Sequence, residues 1–358
     1  MTPKPILNTT PLQYISETGD VTRQLPEFAK NPRNLVPLYR AMLLTRGFDE
    51  KAVALQRTGR LGTYPSSLGQ EAVGVGVAAA MDENDILLPS FREQSAMLWR
   101  GVSMTELLLY WGGDETGSNF AKTPGDFPIC VPVGTHFSHA AGVSFALKSK
   151  GCDNVAVVIA GDGSTSKGDF YESINLAGVW QLPVIFVINN NQWAISVPRS
   201  KQTASETLAH KAVAAGIAGV QVDGNDVVAV REAILEAIER ARKHNQPSLI
   251  EAITYRLTDH TTADDASRYR GDKEVSAQWA NEPIKRLRNY LEQHAGWSRT
   301  EEEQLMNRIS LKIDAAVEEY LGACSQPVES CFDFLYSEIP EPLKHQRQAA
   351  AELSQSDA

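Results

Sequence analysis

Residues 155–191 read VAVVIAGDGSTSKGDFYESINLAGVWQLPVIFVINNN, and their order decides the fold. Val155–Ala160 and Val184–Ile188 are unbroken apolar runs, the pattern of strands buried on both faces of a sheet. Phe170–Trp180 between them reads as a helix. A crossover of this kind is right-handed and places the two parallel strands near one another. Downstream, Val220–Val222 reads as a strand, Asp223–Asp226 as a turn leading into a helix to about Arg242, and Leu249–Tyr255 as another strand. This alternation predicts an α/β fold, a parallel sheet with helices on both faces.

Upstream, the spacing of Leu38, Met42 and Phe48 or Asp49 predicts a helix from Pro32–Leu35 to about Thr58. A small-residue helix, Gln70–Met81, follows, with Gly and Ala suited to close packing. Ile86–Leu88 is a short strand that leaves Ser90-Phe91-Arg92 at its end. Residues 1–30 carry Pro3, Pro5, Pro11 and Pro26 and read as an arm. Residues 31–346 read as one α/β domain with helical additions at both ends, and 347–358 as a frayed tail. Within the C-terminal helices, Thr300 and Glu303 have capping-box spacing, and Leu305, Ile309 and Ile313 mark a buried stripe. Arg256–Arg270 (RLTDHTTADDASRYR) is polar and aperiodic, a loop long enough to be functional or disordered.

The chain has 358 residues, 42% of them hydrophobic, enough for a large core. Its net charge of −10 disfavours nucleic acid and anionic membrane as partners. No apolar run approaches bilayer length, and Met1–Ile15 lacks the apolar core of a signal peptide. The four cysteines, Cys130, Cys152, Cys324 and Cys331, form no CxxC or zinc spacing. They read as free thiols in a reducing compartment, with the cytoplasm as the expected location.

Asp162 and Asn191, 29 positions apart, each follow a predicted parallel strand. Ligands of open α/β sheets bind at those carboxyl ends, so a carboxylate and an amide oxygen converge there. One carboxylate, amide and backbone oxygens, and two phosphate oxygens suit octahedral Mg²⁺. Gly161 and Gly163 allow close approach of the backbone to a phosphate, and the amides after Gly163 are expected to open an anion-favouring helix. His136 and His139 lack a third ligand nearby and read as packing or pocket-lining residues.

Gly161–Ser196 (GDGSTSKGDFYESINLAGVWQLPVIFVINNNQWAIS) resembles the thiamine diphosphate motif of 2-oxo acid dehydrogenase alpha subunits. The resemblance extends from about Tyr39 to about Gln346, through Gly69–Ala72, Leu88–Arg92, Lys201–Val222 and His260–Arg270 (HTTADDASRYR). It implies the thiamine diphosphate-binding fold, with thiamine diphosphate and Mg²⁺ as cofactors. Residue by residue, it implies that Asp162, Asn191 and the carbonyl of Trp193 ligate Mg²⁺. Gly163 and Ser164 would lie against the diphosphate and Arg92 would pair with it. Phe91 stands where the family often has Tyr, removing a hydroxyl contact. Val131 and Val133 would meet the aminopyrimidine end through their backbone. His260 would lie over the cofactor and assist acyl transfer to a lipoyl group.

The implied activity is oxidative decarboxylation of a 2-oxo acid. Pyruvate is favoured over branched-chain substrates, a choice that rests on only ~1–3 kcal/mol of pocket discrimination. The implied partners are a beta subunit, in an α2β2 heterotetramer, and a lipoyl-bearing dihydrolipoyl acyltransferase. The glutamate that activates the cofactor is expected on the beta subunit, so this chain alone is expected to be inactive. A non-catalytic scaffold that keeps the fold without the cofactor is the competing reading. A self-contained thiamine enzyme is disfavoured, because two cofactor-binding domains need more than ~350 residues.

Overall fold

The structure, a computed structural model, describes residues 7–324 and 326–356. The chain divides into two compact units, 1–317 and 318–358. In the first unit, six parallel strands form one sheet: β1 (Leu7–Leu12), β2 (Ile86–Leu88), β3 (Ala156–Gly161), β4 (Val184–Asn190), β7 (Ala218–Asp223) and β8 (Ser248–Ile253). Two further strands, β5 (Trp193–Ala194) and β6 (Val197–Pro198), make a small antiparallel ribbon just after β4. The order across the sheet is β1-β7-β8-β4-β3-β2.

The expected strands and crossover helix form for the expected reason. Nearly all of β3 and all of β4 are buried, so their side chains meet protein on both faces and none has to be polar. Helices Thr135–Ser149 and Gly168–Trp180 lie on one face, where Phe137, Phe170 and Ile174 pack against Val158 and Phe186. The helix Val227–His244 packs against the sheet and against the small-residue helix Glu71–Ala78. Gly76 permits that approach: a Cβ there would meet the Val230 side chain at 2.7 Å.

Three expectations change. Within 1–30, where the prolines predict an arm, Leu7–Leu12 instead joins the sheet as an edge strand parallel to β7. The following segment is tied down where the Tyr14 and Ile15 amides donate to the Asp226 carboxylate, at 2.7 and 2.8 Å. Residues 1–6 of the arm lie outside the described residues. Most of the expected tail, 347–358, continues the helix Glu341–Ser356, while residues 357–358 lie outside the described residues. Lastly, the capping box near Thr300 sits two residues earlier. Ser298 and Glu301 exchange side-chain-to-amide hydrogen bonds, and Glu303 pairs with Arg299 one turn on. Both spacings satisfy S/T-x-x-E, and the adjoining Trp297 explains the choice: it is buried, so the chain must turn there. Leu305, Ile309 and Ile313 are buried as expected.

In the second unit, Ser330–Asp333 and Glu341–Ser356 are helical, and Arg347 pairs with Asp333 at 2.7 Å. Among the described residues, no helix is long and apolar enough to cross a membrane. All four cysteines are free.

Candidate functional site

Gly161 on β3 pairs with Asn189 on β4. Asp162 and Asn191 therefore leave neighbouring strands one and two residues past the last shared rung. Both line one cavity of about 510 Å³, together with Arg92 beyond β2 and His260 in the loop after β8. The other residues that the resemblance assigns to cofactor or metal line it too: Phe91, Val131, Val133, Gly163, Ser164 and Trp193; His139 does not, and packs against Phe127 instead. Val131 and Val133 are half exposed, 48% and 47%, and sit with Ile195 among the accessible walls.

The two charged groups at the heart of this cavity are buried without a charged partner. Asp162 is 1% exposed, and burial raises its pKa. Its Oδ2 accepts a hydrogen bond from Gln202 Nε2 at 2.7 Å, and among the described residues no basic side chain reaches ion-pair distance. Arg92 is 6% exposed, and burial, with Arg256 nearby, pushes its pKa down to about 10. Its guanidinium donates to the Ser66 and His260 carbonyls, and among the described residues no carboxylate contacts it. A buried carboxylate and a buried guanidinium left this way are costly unless a ligand of opposite charge completes each. A cation for Asp162 and an anion for Arg92 is the complement they define.

Asp162, Asn191 and the Trp193 carbonyl, expected from the sequence to hold Mg²⁺, offer oxygen donors of the type that cation takes. The Asn191 oxygen accepts from the Trp193 amide at 3.2 Å, and its amide donates to Gln70 Oε1 at 3.0 Å. The Trp193 carbonyl accepts a long hydrogen bond, 3.4 Å, from Arg256 Nη1. No group of three or more His, Cys, Asp or Glu among the described residues could hold a metal. A single carboxylate beside neutral oxygens suits Mg²⁺ that shares its shell with phosphate, and does not suit an all-protein cage.

The glycine reading is refined. A Cβ on Gly163 would lie 2.6 Å from the Ala194 Cβ, so this glycine is required by the β5–β6 ribbon packed over it. Gly161 has open space around it and an ordinary φ of −73°. Nor do the amides after Gly163 open the α-helix directly. Asp162–Ser166 is a separate 3-10 turn, held where Lys211 Nζ donates to the Thr165 carbonyl at 2.9 Å, and the helix begins at Gly168.

His260 is fixed by its neighbours. Its Nδ1 lies 3.2 Å from Arg92 Nη2, and its backbone N–H donates to Asp264 Oδ2 at 2.8 Å. Arginine can only donate, so Nδ1 must accept and the ring proton sits on Nε2. Burial, then Arg92 and Arg256, lower the His260 pKa to about 4. Phe91 packs edge-on against the imidazole, with ring centroids 5.8 Å apart, so this residue shapes the seat of His260 without any hydroxyl. The carboxylates of the loop do not anchor Arg268 or Arg270, as their proximity in sequence suggests. Asp264 instead receives Tyr269 Oη, and Asp265 caps the turn at Ser267. Arg270 donates to the Arg256 and Thr258 carbonyls.

Three further groups at this site carry no mark in the sequence. Glu93 lines the cavity at 2% exposure, and one of its oxygens accepts from Ser90 Oγ at 2.8 Å. Burial lifts its carboxyl to about 7. Arg256 is fully buried and held by four oxygens, including Tyr269 Oη at 2.8 Å. Gln202 falls inside the matched stretch 201–222, yet nothing there marks it as the partner of Asp162. His136 lines the cavity as expected. Its Nε2 donates to the Ile159 carbonyl at 3.0 Å, leaving Nδ1 buried without a partner among the described residues.

Residues 39–328 match the dehydrogenase E1 component family. The pyruvate dehydrogenase E1 component subunit alpha of Staphylococcus epidermidis is 40% identical over 339 residues, covering 94% of this chain and 91% of the relative. The protein of the same description from Staphylococcus aureus is 40% identical over the same shares.

Proposed function

This chain belongs to the dehydrogenase E1 component family, and we propose from that premise that it is the alpha subunit of the decarboxylating component of a pyruvate dehydrogenase complex. It works with a beta subunit in an α2β2 heterotetramer, in the cytoplasm. It oxidatively decarboxylates pyruvate and passes the acetyl group to a lipoyl group on a dihydrolipoyl acyltransferase. The first unit, to residue 317, carries the cofactor-binding body, with Leu7–Leu12 as an edge strand of its sheet, and the unit from 318 onward is accessory. One observation carries the reading. A buried carboxylate without a cation and a buried guanidinium without an anion face one cavity at adjacent strand ends.

Thiamine diphosphate and Mg²⁺ fit that complement. The cofactor supplies the electron sink that loss of CO₂ from a 2-oxo acid requires. Asp162, the Asn191 side-chain oxygen and the Trp193 carbonyl would hold Mg²⁺, with Gln202 yielding Asp162 to it. The Arg92 fork would take diphosphate oxygens, for which guanidinium geometry is suited. Gly163 and Ser164 would border the diphosphate, and the half-exposed Val131 and Val133 would border the ring end. His260, neutral above about pH 4 in this cavity, presents an Nε2 proton that it can donate to a developing oxyanion. Binding of an anion to Arg92 removes one cause of the depressed pKa and readies the ring to take up a proton.

The deciding experiment is co-expression with the partner beta chain, followed by a panel of 2-oxo acids. The expected result is Mg²⁺-dependent turnover of pyruvate well above that of 3-methyl-2-oxobutanoate, and none from this chain alone. Equal turnover of both substrates would overturn the choice of pyruvate. Undiminished activity of the assembled Asp162→Ala enzyme would favour a scaffold role instead.

A further inference from the structure

Outside the cavity, midway along the helix Val36–Arg57, lies a buried carboxylate. Asp49 is 2% exposed, and hydrogen-bond donors converge on it. Tyr64 Oη donates to Oδ1 at 2.7 Å, the Ser67 amide to Oδ2 at 2.9 Å, and Ser66 Oγ to Oδ2. Every one of these partners belongs to the strap 64–67. Its other edge faces the site. The Tyr64 amide donates to Thr262 Oγ1 at 3.0 Å, and the Thr262 amide returns a bond to the Tyr64 carbonyl at 2.9 Å. The Ser66 carbonyl accepts from Arg92 Nη1, and Arg92 Nη2 donates to the His260 carbonyl at 2.9 Å. The strap is thus gripped by Asp49 on one side and grips Arg92 and the His260 loop on the other.

We propose that Asp49 is a positioning residue: by fixing residues 64–67 it holds the Arg92 guanidinium and the His260–Thr262 loop in place for the ligand. The identity of that ligand rests on the reading above; the mechanical linkage does not. A carboxylate suits this role because it accepts on both oxygens, whereas an asparagine would turn an N–H₂ toward one of the donors. Among the described residues no carboxylate contacts Arg92 directly, so its place depends on the carbonyls of the strap and the His260 loop.

The test uses the complete complex with its beta chain and compares wild type, Asp49→Asn and Tyr64→Phe. Thiamine diphosphate affinity in Mg²⁺ is read by tryptophan fluorescence. Hydrogen–deuterium exchange across 258–264 is read without cofactor. For Asp49→Asn, affinity falls about tenfold and exchange in that segment quickens, since an unsatisfied buried donor loosens the strap. Tyr64→Phe, which removes one hydroxyl and keeps the ring, moves both readouts in the same direction by about twofold to threefold. A lower melting temperature with unchanged affinity and unchanged exchange would overturn the proposal, leaving Asp49 a packing residue of its helix. If Asp49→Asn does not assemble, unchanged affinity and exchange in Tyr64→Phe overturn it equally. Failure of the wild-type complex to bind thiamine diphosphate would defeat the ligand assignment, while the exchange comparison would still judge Asp49.

Discussion

Over residues 156–160 and 184–188 the two central strands bury apolar side chains against apolar side chains, and the strands pair with one another in register. Just past the end of β3, Asp162 lies buried with a neutral amide for company, and beyond the neighbouring β2, Arg92 lies buried with carbonyls. The first region lowers the free energy of the chain by itself. The second does so only when something else arrives. Stability and function are thus separated by a few residues of one strand, and the boundary is the last rung of the β3–β4 ladder. Buried polar groups left incomplete are what a ligand site of this kind consists of.

The largest effect should fall on the sheet. Phe186→Ala removes a ring buried between Phe137 and its neighbours and should cost ~3–5 kcal/mol, read by denaturant unfolding. A loss under ~1 kcal/mol would mean that the core is not where the free energy lies. Asp162→Asn should act the opposite way. It keeps the shape, and in the assembled complex it should weaken Mg²⁺-dependent cofactor binding about 100-fold, with no loss of melting temperature in the cofactor-free state. A marked drop in that temperature would erase the contrast between the regions.

Glu93 sharpens the comparison through pH. Its folded pKa, about 7, is above its ordinary value, so the fold favours the protonated carboxyl. That contribution is fully present below about pH 4.5 and is lost as pH rises to about 7. Glu93→Gln should therefore be neutral in stability at pH 4 and stabilising by on the order of 2–3 kcal/mol at pH 8. Equal effects at the two pH values would contradict the burial argument. The smallest effect separates the two glycines of the motif. Gly163→Ala must push against Ala194 and should cost ~1–3 kcal/mol, whereas Gly161→Ala meets nothing and should be close to neutral. Parallel melting curves for the two variants would settle whether the ribbon or the phosphate demands the glycine.

Much of this was legible in the order of residues. The apolar runs at 155–160 and 184–188 required strands buried on both faces, and the helix between them required adjacency, so Asp162 and Asn191 had to emerge side by side. Their chemistry follows from residue type and strand position alone. Other features were decided by packing. Leu7–Leu12 became a strand because the edge of β7 was available, and nothing in its own composition demands that. Glu93, Arg256 and Asp49 carry charge in segments where charge ordinarily meets water. Only the fold buries them, and burial is what turns an ordinary carboxyl into one that titrates near neutrality. Periodicity and strand order are local properties that a sequence states directly. The depth of a side chain below the surface depends on elements far away in the chain, as when Thr262 reaches Tyr64 across 198 positions.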